Sequence, residues 1–193
     1  RLPLILERLV PFQKELSVVV ARGRDGQTVA FPCVENIHRR GILHLTIAPA
    51  RVGRAVAKAA EDMACRIAKG LNLVGVMGIE MFLVNGTLLV NELAPRPHNS
   101  AHYTLDACRT SQFEQHIRAV TGLPLGSSTL HTPAAMLNLL GEHAQALFDN
   151  LAVIMSDPNV KLHWYGKTEA RPGRKMGHIT ALGTTVDEAL ERL

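Results

Sequence analysis

Short apolar runs punctuated by Gly, Asn, Asp and Pro fill the first half of the chain, and most carry the two-residue period of strands. Residues 15–22 form a β-rich run that turns through Arg24, Asp25 and Gly26 into 28–31, a hairpin signal. A third strand is predicted over 43–48. Pro49 then opens a helix whose apolar stripe is Val52, Val56, Ala59, Met63, Ile67 and Leu71, spaced by three or four, with Gly70 near its end. Two strands, 74–84 and 87–93, meet at Asn85 and Gly86. After an irregular stretch, Ser111, Gln112, Phe113 and Glu114 read as a capping box. Phe113, Ile117 and Val120 form that helix's expected inner face, and Gly122 with Pro124 stops it.

The stretch 122–133 is rich in Gly, Ser, Thr and Pro and predicts a boundary, dividing the chain into 1–126 and 127–193. Beyond it lie a strand over 134–140, a helix over about 142–155, and strands over 162–165 and 176–182. A last helix opens on the capping pair Thr185 and Glu188, and the chain stops inside it. The layout is α+β: an antiparallel sheet with helices on one side, followed by a small β-rich C-terminal domain.

Composition narrows the function classes. With 193 residues, 47% hydrophobic but only 4% aromatic, the chain can bury one good core, or one core plus an appendage, packed by aliphatic side chains. No run of about 18 apolar residues occurs, which excludes a membrane-spanning helix. Leu2, Pro3, Leu4, Ile5 and Leu6 are too few for a secretory signal, and a start at Arg1 reads as an abrupt beginning within a longer protein. Cys33, Cys65 and Cys108 are scattered and odd in number, as expected for reduced thiols of a cytoplasmic protein and against a zinc site. A net charge of +4 favours anionic partners, but the sparse interleaving of aromatic with basic residues argues against nucleic acid.

The most chemical stretch is the pair of strands carrying Glu80 and Glu92. Register decides whether the two carboxylates meet. A strict two-residue loop at Asn85 and Gly86 sets Glu80 opposite Asn91; an odd-length loop with Gly86 at a left-handed bulge sets Glu80 and Glu92 on one face. Carboxylates so close among apolar neighbours repel unless a cation sits between them, and hard oxygens at that spacing suit Mg²⁺ holding nucleotide phosphates. The bulge and the metal are predicted together; the plainer alternative is a solvated outer face with two unrelated glutamates.

Arg96, His98, Asn99, Ser100 and His102 follow directly. Pro95 and Pro97 keep that backbone extended and irregular, which projects side chains, and the guanidinium offers a fork for a small planar anion. Farther on, Arg171, Arg174 and Lys175 surround Pro172 and Gly173. Such a turn fits a phosphate monoester, although a basic turn is more often solvated surface.

Several stretches together resemble the 5-(carboxyamino)imidazole ribonucleotide synthetases, ATP-grasp enzymes of bacterial and fungal purine synthesis. They are Glu15-Leu16-Ser17, Val34-Glu35-Asn36-Ile37-His38, Gly41-Ile42-Leu43, 91–100 (Asn91-Glu92-Leu93-Ala94-Pro95-Arg96-Pro97-His98-Asn99-Ser100), Ser111-Gln112-Phe113-Glu114, and 171–178 (Arg171-Pro172-Gly173-Arg174-Lys175-Met176-Gly177-His178). The resemblance covers nearly the whole chain. Its stretches 91–100 and 171–178 are specific to the family, whereas two glutamates on a hairpin belong to ATP-grasp enzymes broadly.

The resemblance implies that 1–126 is the C-terminal part of an ATP-grasp domain, and that the chain lacks the N-terminal nucleotide-like domain and the subdomain with the phosphate-binding lysines and lid. It implies a ligase in which ATP phosphorylates bicarbonate to carboxyphosphate, and aminoimidazole ribonucleotide captures the carboxyl group with release of ADP and phosphate. Glu80 and Glu92 then bind Mg²⁺. Glu7, Leu9 and Val10 lie at the adenine-binding hinge, Glu15 meets the ribose hydroxyls, and Asn91 completes the ATP site. Arg96, His98 and Asn99 match the bicarbonate and carboxyphosphate pocket, and Lys167, Arg174 and Lys175 the grip on the ribonucleotide phosphate. Ala94 stands where many other ATP-grasp enzymes have Asn. The family is commonly homodimeric, and this chain alone is expected to turn over little or not at all. Another ATP-grasp carboxylase or transformylase and a non-catalytic nucleotide- or anion-binding module remain alternatives, separated by formate or biotin dependence and by binding without ADP release.

Overall fold

The computed structural model describes residues 4–193. Nine strands, β1 (Lys14–Arg22), β2 (Thr28–Ala30), β3 (Val34–Arg39), β4 (Ile42–Ala48), β5 (Gly75–Val84), β6 (Thr87–Ala94), β7 (Ala134–Leu140), β8 (Val160–Trp164) and β9 (Lys175–Leu182), form a single sheet. Its order is β6-β5-β1-β3-β4-β7-β9-β8, with β2 against β1, and each pairing is antiparallel. The helices are α1 (Arg54–Gly70), α2 (Thr104–Ala107), α3 (Gln112–Thr121), α4 (Ala144–Asp149), α5 (Leu151–Ile154) and α6 (Val186–Glu191). None is long and apolar enough to cross a membrane. The α+β class and the antiparallel sheet agree with the sequence.

Strand β1 explains how the sheet is covered. Leu16, Val18 and Val20 pack with Ala60, Ala64 and Ala68 of α1, whereas Val19 and Ala21 pack with Tyr103 and Ala107 around α2. Alternate side chains of a strand point to opposite faces, so helices cover both faces of this sheet, not one as expected. The buried stripe of α1 also differs. Ala59 and Leu71 are exposed, and Ala60, Ala64 and Ala68 face the sheet, because small side chains let the helix approach closely.

Helix α3 begins as predicted: Ser111 Oγ accepts from the Glu114 N–H at 3.2 Å, and Gly122 ends it in the left-handed conformation. Its inner face is different. Phe113 and Ile117 are exposed, while Gln112, Gln115 and Ala119 are buried. The glutamines go inward because each amide pairs with a backbone amide. Gln112 Nε2 donates to His98 O at 2.8 Å, and its Oε1 accepts from His98 N at 2.7 Å. Gln115 does the same with Gly126, at 2.6 and 2.9 Å. The helix expected over 142–155 is broken into a 3₁₀ turn, α4 and α5. Strand β3 was not anticipated as an element, although its residues were singled out as a motif.

Candidate active site

Asn85 and Gly86 both adopt positive φ, 48° and 80°, and Val84 faces Thr87 across a two-residue loop. Left alone, that loop would bring Glu80 opposite Asn91. The ladder slips instead. Met81 pairs with Val90 but Glu80 pairs with Glu92, leaving Asn91 as the extra residue of a bulge. The expected meeting of the carboxylates therefore occurs, with its cause inside β6 and not at the turn. The Asn91 amide lies 3.5 Å from Glu80 Oε2.

Around this pair a cavity of about 220 Å³ is lined by His38, Ile42, Glu80, Glu92, Arg96, His98, Asn99 and Lys175, with Gly41 and Leu43. Burial raises the Glu80 carboxyl above its ordinary range, helped by the like charges of Glu92 and Glu15 and opposed by His38 and Asn91. Burial also pushes the His98 ring down to about 4, with Arg96, Lys175 and His38 adding to the effect. The Lys175 ammonium is lowered by burial and Arg96, against the pull of Glu80. Both polar atoms of the buried Asn99 side chain lack a hydrogen-bond partner. Buried amides are rarely left so, and this one belongs to a residue that lines the cavity. Two opposed carboxylates, one of them energetically reluctant to ionise, fit a divalent cation with oxygen ligands.

Glu15 lies beyond this cavity, with Phe12, Lys14, Glu35, Asn36 and His38 around an adjoining space of about 300 Å³. It pairs with the His38 ring. Glu35 is buried under Lys14 Nζ at 2.8 Å and the Arg51 fork at 2.8 and 3.1 Å. Phe12 stacks on Phe82 with centroids 4.5 Å apart. Glu7 and Leu9 are exposed and Val10 half-buried, and none of the three borders either cavity.

Of the three basic residues assigned to a phosphate, Lys175 alone lines the carboxylate cavity. Lys167 Nζ donates to the Lys175 carbonyl at 2.5 Å, and Arg174 Nη1 donates to Glu169 O at 3.0 Å. Nearby, Asp106, His163 and His178 bring one potential ligand atom each within 4.8 Å of the others. The two rings stack at 4.5 Å and 13°, and lone pairs in nearly parallel planes do not converge on one ion. Asp106 accepts from or donates to His163 Nε2 at 2.8 Å, and Tyr165 bonds His178 at 2.8 Å, so the group works as a packed polar pillar. A separate apolar cavity of about 480 Å³ beneath α4 and α5 gathers no comparable set of charged groups.

His38, Lys14, Ser17 and Asn36 carry no functional role that the sequence alone predicts. His38 stands beside the carboxylates because β3 runs next to β1, a neighbourhood that only the alternating polar positions Asn36 and His38 hint at.

The antiparallel sheet thus carries paired carboxylates, a nearby guanidinium and an unpartnered amide at one cavity, and the chain is similar to known proteins along nearly its whole length. The ATP-grasp domain model matches residues 1–113, and the phosphoribosylaminoimidazole carboxylase C-terminal domain model matches 134–192. The chain belongs to the ATP-grasp family. It is 52% identical to the N5-carboxyaminoimidazole ribonucleotide synthase of Bacillus subtilis over 98% of this chain and 49% of that protein. It is 48% identical to the phosphoribosylaminoimidazole carboxylase of Ogataea methanolica over 99% of this chain and 36% of that protein. Among solved structures, an ADP complex of N5-carboxyaminoimidazole ribonucleotide synthetase superposes with a TM-score of 0.93 at 48% identity, covering 96% of this chain and 49% of that one. The Aspergillus clavatus synthase bound to ADP and 5-aminoimidazole ribonucleotide gives 0.85 at 38% identity, covering 94% and 49%. The chain thus spans about half the length of the bacterial relatives it matches.

Proposed function

We propose that this chain is the part of an ATP-dependent carbon–nitrogen ligase that carries bicarbonate activation and transfer of the carboxyl group to aminoimidazole ribonucleotide. The observation that carries the reading is the opposition of Glu80 and Glu92 beside Arg96, His98 and the unpartnered amide of Asn99. Residues 1–126 are the ATP-grasp part and 127–193 the small C-terminal domain. Glu80 and Glu92 hold Mg²⁺, which when bound neutralises charge on the ATP phosphates. Arg96 forks a planar anion, and Asn99 supplies a donor and an acceptor to the same ligand. His98 fixes the near side of that anion. Glu7, Leu9, Val10, Glu15 and Asn91 belong to the nucleotide side, and Lys175, with Lys167 and Arg174 behind it, meets the ribonucleotide phosphate. Carboxyphosphate decomposes in water, so side chains that crowd the cavity serve the reaction by excluding solvent. The working protein is a cytoplasmic homodimer on this reading, consistent with three free thiols.

ADP release from Mg-ATP tests the proposal, measured for this chain and for a version extended to the length of its relatives. Turnover is expected only in the longer protein, only with bicarbonate and aminoimidazole ribonucleotide together, and Glu92→Ala should lower it by about 10²–10³-fold. Formate replacing bicarbonate, or no dependence on the ribonucleotide, would sink the assignment.

A further inference from the structure

A line of buried hydrogen bonds beneath the carboxylates has a fixed direction. Thr46 Oγ1 donates to Asn36 Oδ1 at 3.1 Å, and Asn36 Nδ2 donates to Ser17 Oγ at 2.8 Å. Ser17 Oγ donates to Ser100 Oγ at 2.8 Å, and Ser100 Oγ lies 2.8 Å from His98 Nδ1. All five side chains are buried. Beyond the ring, His98 Nε2 lies 3.5 Å from Glu80 Oε1.

Both ends of the line demand the same polarity. With the amide as it stands, each hydroxyl hydrogen has an acceptor: Thr46 gives to Asn36, Ser17 to Ser100, and Ser100 to His98 Nδ1. Reversing the amide would turn both serines toward Asn36 and leave the Thr46 hydrogen unmatched in a fully buried place, a cost of the kind proteins avoid. Reversal would also put the proton of a neutral ring on Nδ1 and aim the Nε2 lone pair at a carboxylate. Gly78 holds the ring against β5, since a Cβ there would stand 2.6 Å from His98 Cγ.

We propose that Asn36, Ser17 and Ser100 are positioning residues that fix His98 as the Nε2–H tautomer, so that it offers a hydrogen-bond donor to Glu80 and to an anion in the cavity. His98 is then neither a general base nor a metal ligand through Nε2. The inference deepens the proposed function and rests on it only for the identity of the anion.

Long-range ¹H–¹⁵N correlation of the chain labelled with ¹⁵N-histidine reads the tautomer directly, with the His98 signals identified by their loss in His98→Gln. A pyrrole-type Nε2 and a pyridine-type Nδ1 are expected at neutral pH. Ser100→Ala and Asn36→Leu should move that pattern toward a mixture of tautomers, and Ser100→Thr should restore it, with cooperative unfolding verifying that each variant folds. A protonated Nδ1 in the unsubstituted chain, or an unchanged pattern in both broken variants, overturns the proposal. In the longer protein Ser100→Ala should lower kcat by roughly 10- to 100-fold with the KM for ATP little changed. If that protein shows no bicarbonate-dependent ADP release at all, the substrate reading fails while the tautomer result stands.

Discussion

Glu35 shows how a buried charge is held by its neighbours. Its carboxylate is buried, which alone would raise its pKa, yet the hydrogen bonds and charges of Arg51 and Lys14 outweigh burial and hold it below the ordinary carboxylate range. A carboxyl lowered in the folded state stabilises the fold above the unfolded carboxylate range and loses that effect as pH falls through its folded value. Glu35→Gln should therefore destabilise the protein by about 2 kcal/mol at neutral pH, with the gap to the parent closing on acidification below the normal glutamate range. Urea midpoints measured down the pH scale check this, and a gap that stays constant would refute it. Legibility at this scale divides cleanly. Glu80, Glu92, Arg96, His98 and Asn99 could be read because they lie close along the chain amid apolar or proline-fixed neighbours. The link from Ser100 to Ser17 and Asn36 could not, because Ser17 and Asn36 are ordinary small polar residues until separated segments place Ser17 Oγ 2.8 Å from both Asn36 Nδ2 and Ser100 Oγ.

Elements were legible where turn chemistry and pattern agreed, as in the β1–β2 and β5–β6 hairpins. They misled where polar side chains went inward. Strand β3 turns Asn36 and His38 to the space beside Glu15 and so lacks the apolar alternation that marks a half-buried strand. Helix α3 buries glutamines because backbone amides at His98 and Gly126 await them, and Phe113 and Ile117 are left outside. The bulge in β6 is the element on which the carboxylate pair depends. Exchanging the two residues (Asn91→Glu with Glu92→Asn) would move the second carboxylate onto the bulged position, out of line with Glu80, whereas Asn91→Ala keeps Glu92 opposite Glu80. In the longer protein the exchange should abolish ADP release and the single substitution should preserve most of it. Equal losses in the two variants would show that the Asn91 amide, and not the register, matters.

At the scale of the molecule, the ladder between β4 and β7 joins the parts on either side of the predicted boundary, with Leu45 opposite Leu137 and Ala48 opposite Ala134. That pairing links residues some ninety positions apart, so no local pattern announces it. One continuous sheet should unfold as one body. The fluorescence of Trp164, the only tryptophan, which lies on β8, and hydrogen exchange along β1 and β5 should give the same unfolding free energy. Separate transitions would mean that the parts are stable independently.

The strand order carries one more consequence. Glu80 on β5 and Lys175 on β9 are separated along the ladder by five strand spacings, roughly 24 Å in a flat sheet, yet they line the same small cavity. The sheet must therefore curl until its distant strands face each other, like fingers closing on a palm. Backbone twist then sets the width of the grip, and a change in twist anywhere between β1 and β7 would loosen the hold on an anion without altering any residue that touches it.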